Sequence, residues 1–316
     1  MRSPLKLLAL GMLAVFMGWG PQPKTLADTI TIGAYNVENF FDVFDDPYTG
    51  DEGVKVKPRR EIQAIAASLK KLDADVVVFQ ELENEHLLQA VVDEFLPNEG
   101  YEYIAAQRTN SGRGINLGVI SRFPIKELRS YRFMTLTNPK APGREWKFAR
   151  DLMRITIDAG LDRPIEVFSV HLKSNRDGPD DPNSRLYRTA EAIALKNIIR
   201  EEVEKDPGFL AVLGGDFNSN YETRPEQPRP WPAIAHLLEA EPGDEPLLTD
   251  VHADLSDKER VTIPGSGRYP PATFDYILVT PAMAERYVED SATVIRSKAL
   301  TSGSDHRPIS AEFRLD

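Results

Sequence analysis

Runs of apolar, mostly β-branched residues recur along the chain at 30–35, 76–79, 101–105, 117–120, 152–157, 165–170, 209–213, 274–279, 292–296 and 309–313. They are short and bounded by Gly, Pro, Asp or Asn, which predicts strands. A different spacing appears at 59–72, where Ile62, Ile65, Ala66 and Leu69 fall on one side of a helix. It recurs at 183–203, with Leu186, Ala190, Ile193, Ala194 and Ile198. Two shorter helices are predicted at 87–95 and 232–239. Adjacent strands alternate with strand-helix-strand passages, so the pattern predicts mixed sheets with helices packed outside them. Long polar stretches at 42–58, 138–147, 176–182, 221–232 and 264–271 read as loops, and loops of such length in a compact domain are often functional.

Three of the apolar runs end in chemistry, and a fourth polar cluster leads into the last run. Phe79-Gln80-Glu81, Val170-His171-Leu172-Lys173-Ser174, Gly215-Asp216-Phe217-Asn218 and Ser304-Asp305-His306 place carboxylates, imidazoles or an amide beside a strand, where side chains reach the rim of a sheet. Taken together, they imply a metal-dependent site for cleaving phosphodiesters. Asp216 and Asn218 alternate about one residue, so on an extended segment both side chains leave the same face. The competing reading of Asp-Phe-Asn is a turn or a helix cap. Gly214 and Gly215 are expected to let the backbone approach a substrate closely.

Composition narrows what such a site can be. The chain has 316 residues, 41% of them hydrophobic, enough for one large core. It has no cysteine, which excludes disulfides, a thiolate nucleophile and thiolate metal ligands. Oxygen and imidazole are left as metal donors. Arg2 and Lys6 precede an apolar run from Leu7 to Trp19 and a polar stretch ending Thr25-Leu26-Ala27, the order of a secretory signal peptide. Residues 1–27 are therefore expected to be removed, leaving a mature chain at 28–316 that is secreted or periplasmic; an uncleaved anchor is the alternative. Loss of Arg2, Lys6 and Lys24 takes the formal net charge from −11 to −14. That is the opposite of the basic footprint of a tight nucleic-acid binder, and it argues against a binding module more than against a hydrolase, which needs only local cations and a divalent ion.

The ordered set Tyr35-Asn36-Val37-Glu38-Asn39, Gln80-Glu81, His171, Asp216 with Asn218, Asp275 and Asp305-His306 resembles the endonuclease/exonuclease/phosphatase superfamily across the whole expected mature chain. The resemblance implies an α/β fold, a four-layer sandwich of two mixed β-sheets flanked by helices. It implies Glu81 as a metal ligand, with Asn36 beside it and Asp305 as a further oxygen donor, for Mg²⁺ or alternatively Mn²⁺. It makes Asp216 the base that takes a proton from the attacking water, with Asn218 contacting phosphate or orienting Asp216. His306 would face the scissile phosphate with Asp275 setting its tautomer, and His171 would be the second imidazole there. Arg150 resembles a family arginine that faces the site. Lys173 and Ser174 share the rim of His171, and the polar loop at 107–116 offers Arg108, Asn110, Arg113 and Asn116 to phosphate. Arg185 and Arg188 are expected to brace the loop after His171. His86, His236 and His252 lack paired ligand spacing and are read as structural or exposed, so zinc chemistry on histidines is disfavoured.

The expected function is thus a secreted nuclease acting on DNA or RNA, a monomer by default and without a membrane span in its mature chain. A lipid phosphodiesterase of the sphingomyelinase type would use the same site but needs an exposed apolar hairpin, for which Tyr131-Arg132-Phe133-Met134 is the candidate. A non-catalytic binding protein on the same fold is the third possibility.

Overall fold

A computed structural model describes residues 28–178, 180–221, 232–240, 245–267 and 269–316. The expected export signal at 1–27 and most of the loop at 221–232 lie outside the described residues. In chain order the first half runs β1 (Thr29–Phe40), α1 (Arg59–Leu72), β2 (Val76–Leu82), α2 (Glu85–Phe95), β3 (Tyr103–Gln107), β4 (Asn116–Ser121), β5 (Ile125–Ser130), β6 (Leu136–Thr137) and β7 (Glu145–Trp146). It continues as β8 (Leu152–Ile157), β9 (Ile165–His171), α3 (Arg185–Lys205), β10 (Ala211–Asp216), α4 (Ala235–Leu238), β11 (Thr249–Asp250), β12 (Asp275–Val279), α5 (Pro281–Ala284), β13 (Thr293–Val294) and β14 (Ile309–Arg314).

Two six-stranded sheets result, with strand orders β13-β14-β1-β2-β4-β3 and β11-β12-β10-β9-β8-β5; β6 and β7 form a separate hairpin. Both large sheets are mixed: β1 and β2 run parallel, as do β9 and β10, and their other neighbours run antiparallel. The alternation of side chains along each strand builds three apolar layers. Ile30, Ile32, Val76 and Val78 meet Ile165, Val167, Val212 and Ile277 between the sheets. The opposite faces of β1 and β2 pack through Tyr35, Val77 and Phe79 on Ile65 and Leu69 of α1 and Leu88 of α2. Phe168, Leu213 and Leu278 pack on Ala190, Leu195 and Ile199 of α3. Helix, sheet, sheet and helix therefore stack as four layers, the sandwich expected from the motifs. Among the described residues no helix is long and apolar enough to cross a membrane.

Several boundaries move for identifiable reasons. Helix α3 starts at Arg185 rather than 183, because Asn183 and Ser184 hold left-handed backbone and Asp181 accepts the Leu186 and Tyr187 amides. Strand β5 has no apolar alternation because it is an exposed sheet edge, where Lys126 and Arg129 guard against pairing with another chain. Gly214 and Gly215 serve packing rather than substrate approach. A Cβ at Gly214 would sit 3.3 Å from Ala34 and Val78 of the facing sheet. One at Gly215, whose φ is +139°, would overlap the Val170 carbonyl oxygen.

Gly215→Ala should therefore destabilise the protein by more than about 4 kcal/mol, the range reserved for severe core disruption. Gly143→Ala, at φ +79° with open space around it, should cost only about 1–2 kcal/mol. Urea unfolding of the two variants compares them directly, and equal losses would refute the packing role given to Gly215.

Candidate active site

Strand register brings the chemistry together. In the second sheet Asp216 pairs with His171 on one side and Asp275 on the other, so three titratable side chains stand abreast at one rim. In the first sheet Asn36 pairs with Gln80, which sets Glu81 at the end of β2 facing that row. Asn36 Nδ2 donates to Asp216 Oδ2 at 3.2 Å across the gap between the sheets. His306, two residues after a Ser304 whose hydroxyl is tied to the Asn36 carbonyl at 2.7 Å, completes the cluster from the loop before β14.

His306 Nδ1 lies 2.8 Å from Asp275 Oδ2, while its Nε2 is 3.8 Å from Asp216 Oδ2 and 3.9 Å from Asp305 Oδ1. Burial alone would favour the neutral ring, but the carboxylates of Asp275 and Asp216 outweigh it and raise the imidazole to about 10. His171 goes the other way: burial, then the nearby charges of Arg150, His306 and Arg113, hold it well below its ordinary range. Its Nε2 is 3.5 Å from Asp216 Oδ2 and 3.8 Å from Glu81 Oε1. One imidazole is thus cationic and the other neutral. Burial pushes Asp216 up to about 7, with Asp275 and Glu81 adding to the rise against the pull of His306.

Asn218 reaches Asp216 by a different route from strand alternation. Its φ is 48°, its backbone N–H donates to Asp216 Oδ1 at 2.8 Å, and its Nδ2 donates to Asp216 Oδ2 at 3.0 Å and to the Leu172 carbonyl at 3.1 Å. The segment is an Asx-type turn. The turn and the functional reading coincide, and the amide is committed to orienting Asp216.

The remaining predicted residues divide. Arg150 is buried with Nη1 3.4 Å from the Leu172 carbonyl, beside His171. Arg113 donates to Asn39 Oδ1 at 2.8 Å, and the Asn39 amide donates to Glu81 Oε2 at 3.1 Å, so it stands directly behind the metal-ligand candidate. Lys173 sits on the rim with Nζ 3.5 Å from Ser174 Oγ. Asn116 braces its loop: its Oδ1 accepts the Thr109 amide at 2.8 Å and its Nδ2 donates to the Glu83 carbonyl at 2.5 Å. Arg188 braces the loop after His171, donating to the Lys173 carbonyl and Asn175 Oδ1; Arg185 is exposed. His252 is buried against the Thr293 carbonyl and His86 is exposed.

The donor set fits a divalent cation. Glu81 and Asp305 share the rim with Glu38, whose carboxyl is raised by burial and then by Asp305, and which accepts the Asp305 amide at 2.9 Å. Such a concentration of carboxylate oxygen suits a hard ion. Among the described residues, Asp216, Asp275 and His306 also offer three ligand atoms within 4.8 Å of one another. The His306–Asp275 hydrogen bond and the charge on His306 suit that trio to proton handling as well.

The family model of the Endonuclease/Exonuclease/phosphatase family matches residues 33–306. The chain belongs to this family. Its members are divalent-metal-dependent phosphoric-ester hydrolases. No sequence among the curated proteins matches the chain. Similar solved structures include the human Nocturnin catalytic domain with bound sulfate (17% identity, 92% of this chain and 96% of that one, TM-score 0.60). Danio rerio TDP2 complexed with a single-strand DNA product is 15% identical over 91% of this chain and all of that one, with a TM-score of 0.58. A family protein from Bacteroides thetaiotaomicron is 18% identical over 91% and 98%, with a TM-score of 0.54. At these identities the likeness is one of fold.

Glu191 carries a part in this site that sequence reading missed, because it sits on the apolar face of α3 as an isolated charge. It is fully buried, and its two carboxylate oxygens accept the Ala149 amide at 2.7 Å and the Lys173 amide at 2.6 Å. It therefore ties together the segments that carry Arg150 and His171. Burial pushes it up to about 7 despite those bonds and the Arg150 and Arg188 charges. Because its folded pKa lies above the ordinary 4.5, the native state keeps the proton longer than the unfolded chain, and stability is lost as pH rises between the two values.

Glu191→Gln keeps the shape but sets an N–H against a backbone N–H, and should cost about 1–3 kcal/mol. The deficit relative to wild type should narrow as pH rises from 4.5 towards about 7, since glutamine has nothing to ionise. Thermal unfolding on both sides of this window checks it, and a constant gap would show that Glu191 ionises in its ordinary range.

Proposed function

We propose that this chain is an exported phosphodiesterase that hydrolyses nucleic acid, DNA or RNA, with Mg²⁺ as its natural ion and Mn²⁺ as a substitute. The observation that carries the reading is the row His171, Asp216, Asp275 faced by Glu81 and closed by His306. The TDP2 structure with a single-strand DNA product is a precedent on the same fold for a nucleic-acid strand. Export rests on the N-terminal pattern of residues 1–27.

When bound at Glu81, Asn36 and Asp305, the divalent ion supplies Lewis-acid polarisation of the phosphate and neutralises charge on the leaving oxygen. Asp216, poised near neutrality and held by Asn218 and Asn36, takes the proton of the attacking water. His306 donates from Nε2 to a phosphate oxygen, its charge maintained by Asp275 and Asp216. Neutral His171 gives a second hydrogen bond, and Arg150 stabilises the growing negative charge from behind Leu172.

The protein incubated with supercoiled plasmid and Mg²⁺ should nick it, and both EDTA and Glu81→Gln should abolish nicking. If neither DNA nor RNA is cleaved beside an active control nuclease, the nucleic-acid reading fails. Asp275→Asn and His306→Ala should each lower kcat by about 10²–10⁴. The double variant should be no slower than His306→Ala alone, since residues that act as one unit are not additive. Additive losses would separate Asp275 from His306. Sequencing of the exported protein should begin at Asp28; a start at Met1 would remove the cleavage proposal.

A further inference from the structure

Charge is unevenly spread along this acidic chain. Between Gln107 and Arg150 stand ten Lys and Arg against two Glu, in a protein of net charge −11. Arg122 and Lys126 are used in ion pairs with Asp73, Asp75 and Asp158. Much of the remainder is interleaved with aromatic rings. Arg132 and Lys147 lie near the ring of Phe133, 4.5 and 5.6 Å from its centre, Arg129 lies over Tyr131 at 4.9 Å and Arg144 over Trp146 at 5.0 Å. Tyr131 and Trp146 pack partly into the core, whereas Phe133 is 67% exposed. An exposed ring beside two cations brings an apolar stacking surface and positive charge to one place.

This surface is built onto the site. Asp151, buried next to Arg150, accepts the Ser130 hydroxyl at 2.6 Å and the Tyr131 amide at 2.9 Å, which fixes the base of the turn that displays Phe133. Asn110 joins the same turn to the catalytic rim: its Nδ2 donates to the Arg132 and Phe148 carbonyls at 2.5 and 2.8 Å, and its backbone N–H donates to the Arg150 carbonyl at 2.9 Å. Arg132 Nη1 in turn donates to the Arg108 carbonyl at 2.9 Å. The turn, the 107–116 loop and Arg150 are therefore tied to one another by hydrogen bonds.

We infer that this basic, aromatic wall beside Arg150 binds an unpaired nucleic-acid strand, with a base stacked on Phe133 and the adjoining phosphates on Arg132 and Lys147. The inference rests on the nucleic-acid reading of the active site and adds a preference within it for single strands or unpaired ends, which a negatively supercoiled plasmid offers at transiently melted stretches. Stacking on an aromatic face tolerates any base, and flanking cations follow the backbone, so the wall supplies local affinity that the net charge of the protein denies it. A closed duplex keeps its bases stacked on each other and has no free face to offer Phe133.

The test measures fluorescence anisotropy of a labelled single-stranded oligonucleotide and its duplex in a Glu81→Gln background, which prevents cleavage. The single strand should bind more tightly than the duplex, and Phe133→Ala should weaken it roughly tenfold to a hundredfold. Hydrolysis of bis(p-nitrophenyl) phosphate by Phe133→Ala without the background change should match wild type. Arg132→Ser with Lys147→Ser should reduce the slope of log affinity against log salt by about 1.4 for a single strand, an effect that general loosening does not produce. Oligonucleotide affinity unchanged in both wall variants, or absent from the parent protein, overturns the inference. So does binding to vesicles rich in phosphatidylglycerol that is lost in Phe133→Ala while oligonucleotide affinity holds, since the wall would then face lipid. Plasmid and RNA cleavage by the wild type is scored separately. Cleavage with neutral wall variants removes only the wall, and weakened binding without any cleavage removes only the hydrolytic reading.

Discussion

The Asn36–Asp216 hydrogen bond crosses between the two sheets at the point where each ends, and the catalytic arrangement depends on that closeness. Asn36 belongs to β1 and Asp216 to β10, 180 residues apart. Nearby, Gln80 Nε2 donates to Ser169 Oγ at 3.2 Å, and Ser169 Oγ reaches the Phe79 carbonyl at 3.4 Å, a second polar link through an otherwise apolar interface. Gly214 and Gly215 make room for it. With larger residues there, Glu81 on one sheet and Asp216 on the other would be pushed apart, and the ion-binding half of the site would no longer face the proton-handling half. The sheet packing thus sets the distances on which the chemistry runs.

The same closeness explains the charge states. Removing carboxylates and imidazoles from water disfavours their charged forms, so each group ionises only as far as its neighbours support it. His306 has two carboxylates within reach and stays cationic. His171 is held neutral chiefly by burial, with the charges of Arg150, His306 and Arg113 adding to it. Asp216 lies between these influences and is brought near neutrality. Opposite states for the two histidines follow from the residues that strand register, for His171, and the loop before β14, for His306, put beside them, with no special property of either ring.

Much of this could be read from the chain because strand ends are encoded locally. An apolar run that stops at Glu81, His171 or Asp216 already says which side chain stands at a rim, and α1 and the buried strands show their periods plainly. Other features depend on partners distant in sequence and leave no local mark. Edge strand β5 lacks an apolar face because its residues after Ile125 are exposed to solvent, beyond the cover of the core. Asn116 has the composition of a phosphate contact, and nothing beside it announces the two hydrogen bonds to Thr109 and Glu83 that tie it to its loop. Asp-Phe-Asn offers two readings that local sequence cannot choose between, and the αL backbone at Asn218 selects the turn over the extended segment. Glu191 was invisible as a site residue because a lone acid on a helix usually faces water, and nothing in its neighbourhood announces the two amides it accepts.

Glu191 also shows why the site tolerates an acidic protein. Its carboxylate, fully buried, is balanced by two backbone N–H donors and by the charges of Arg150 and Arg188, so it orders cations without presenting its own charge to a substrate. Asp151 does the same beneath the Phe133 turn, with three donors around its oxygens. Glu191 and Asp151 are therefore screened inside the protein, while Arg113, Arg132 and Lys147 stand towards its surface. Net charge is a poor guide here because the approach of an anion is governed by the potential along its path, and within about a Debye length, roughly 10 Å, that potential is set by the groups lining the path. An acidic enzyme can take a polyanion so long as its carboxylates at the cleft are either buried against donors or occupied with a cation, and those are the two conditions this rim is arranged to meet.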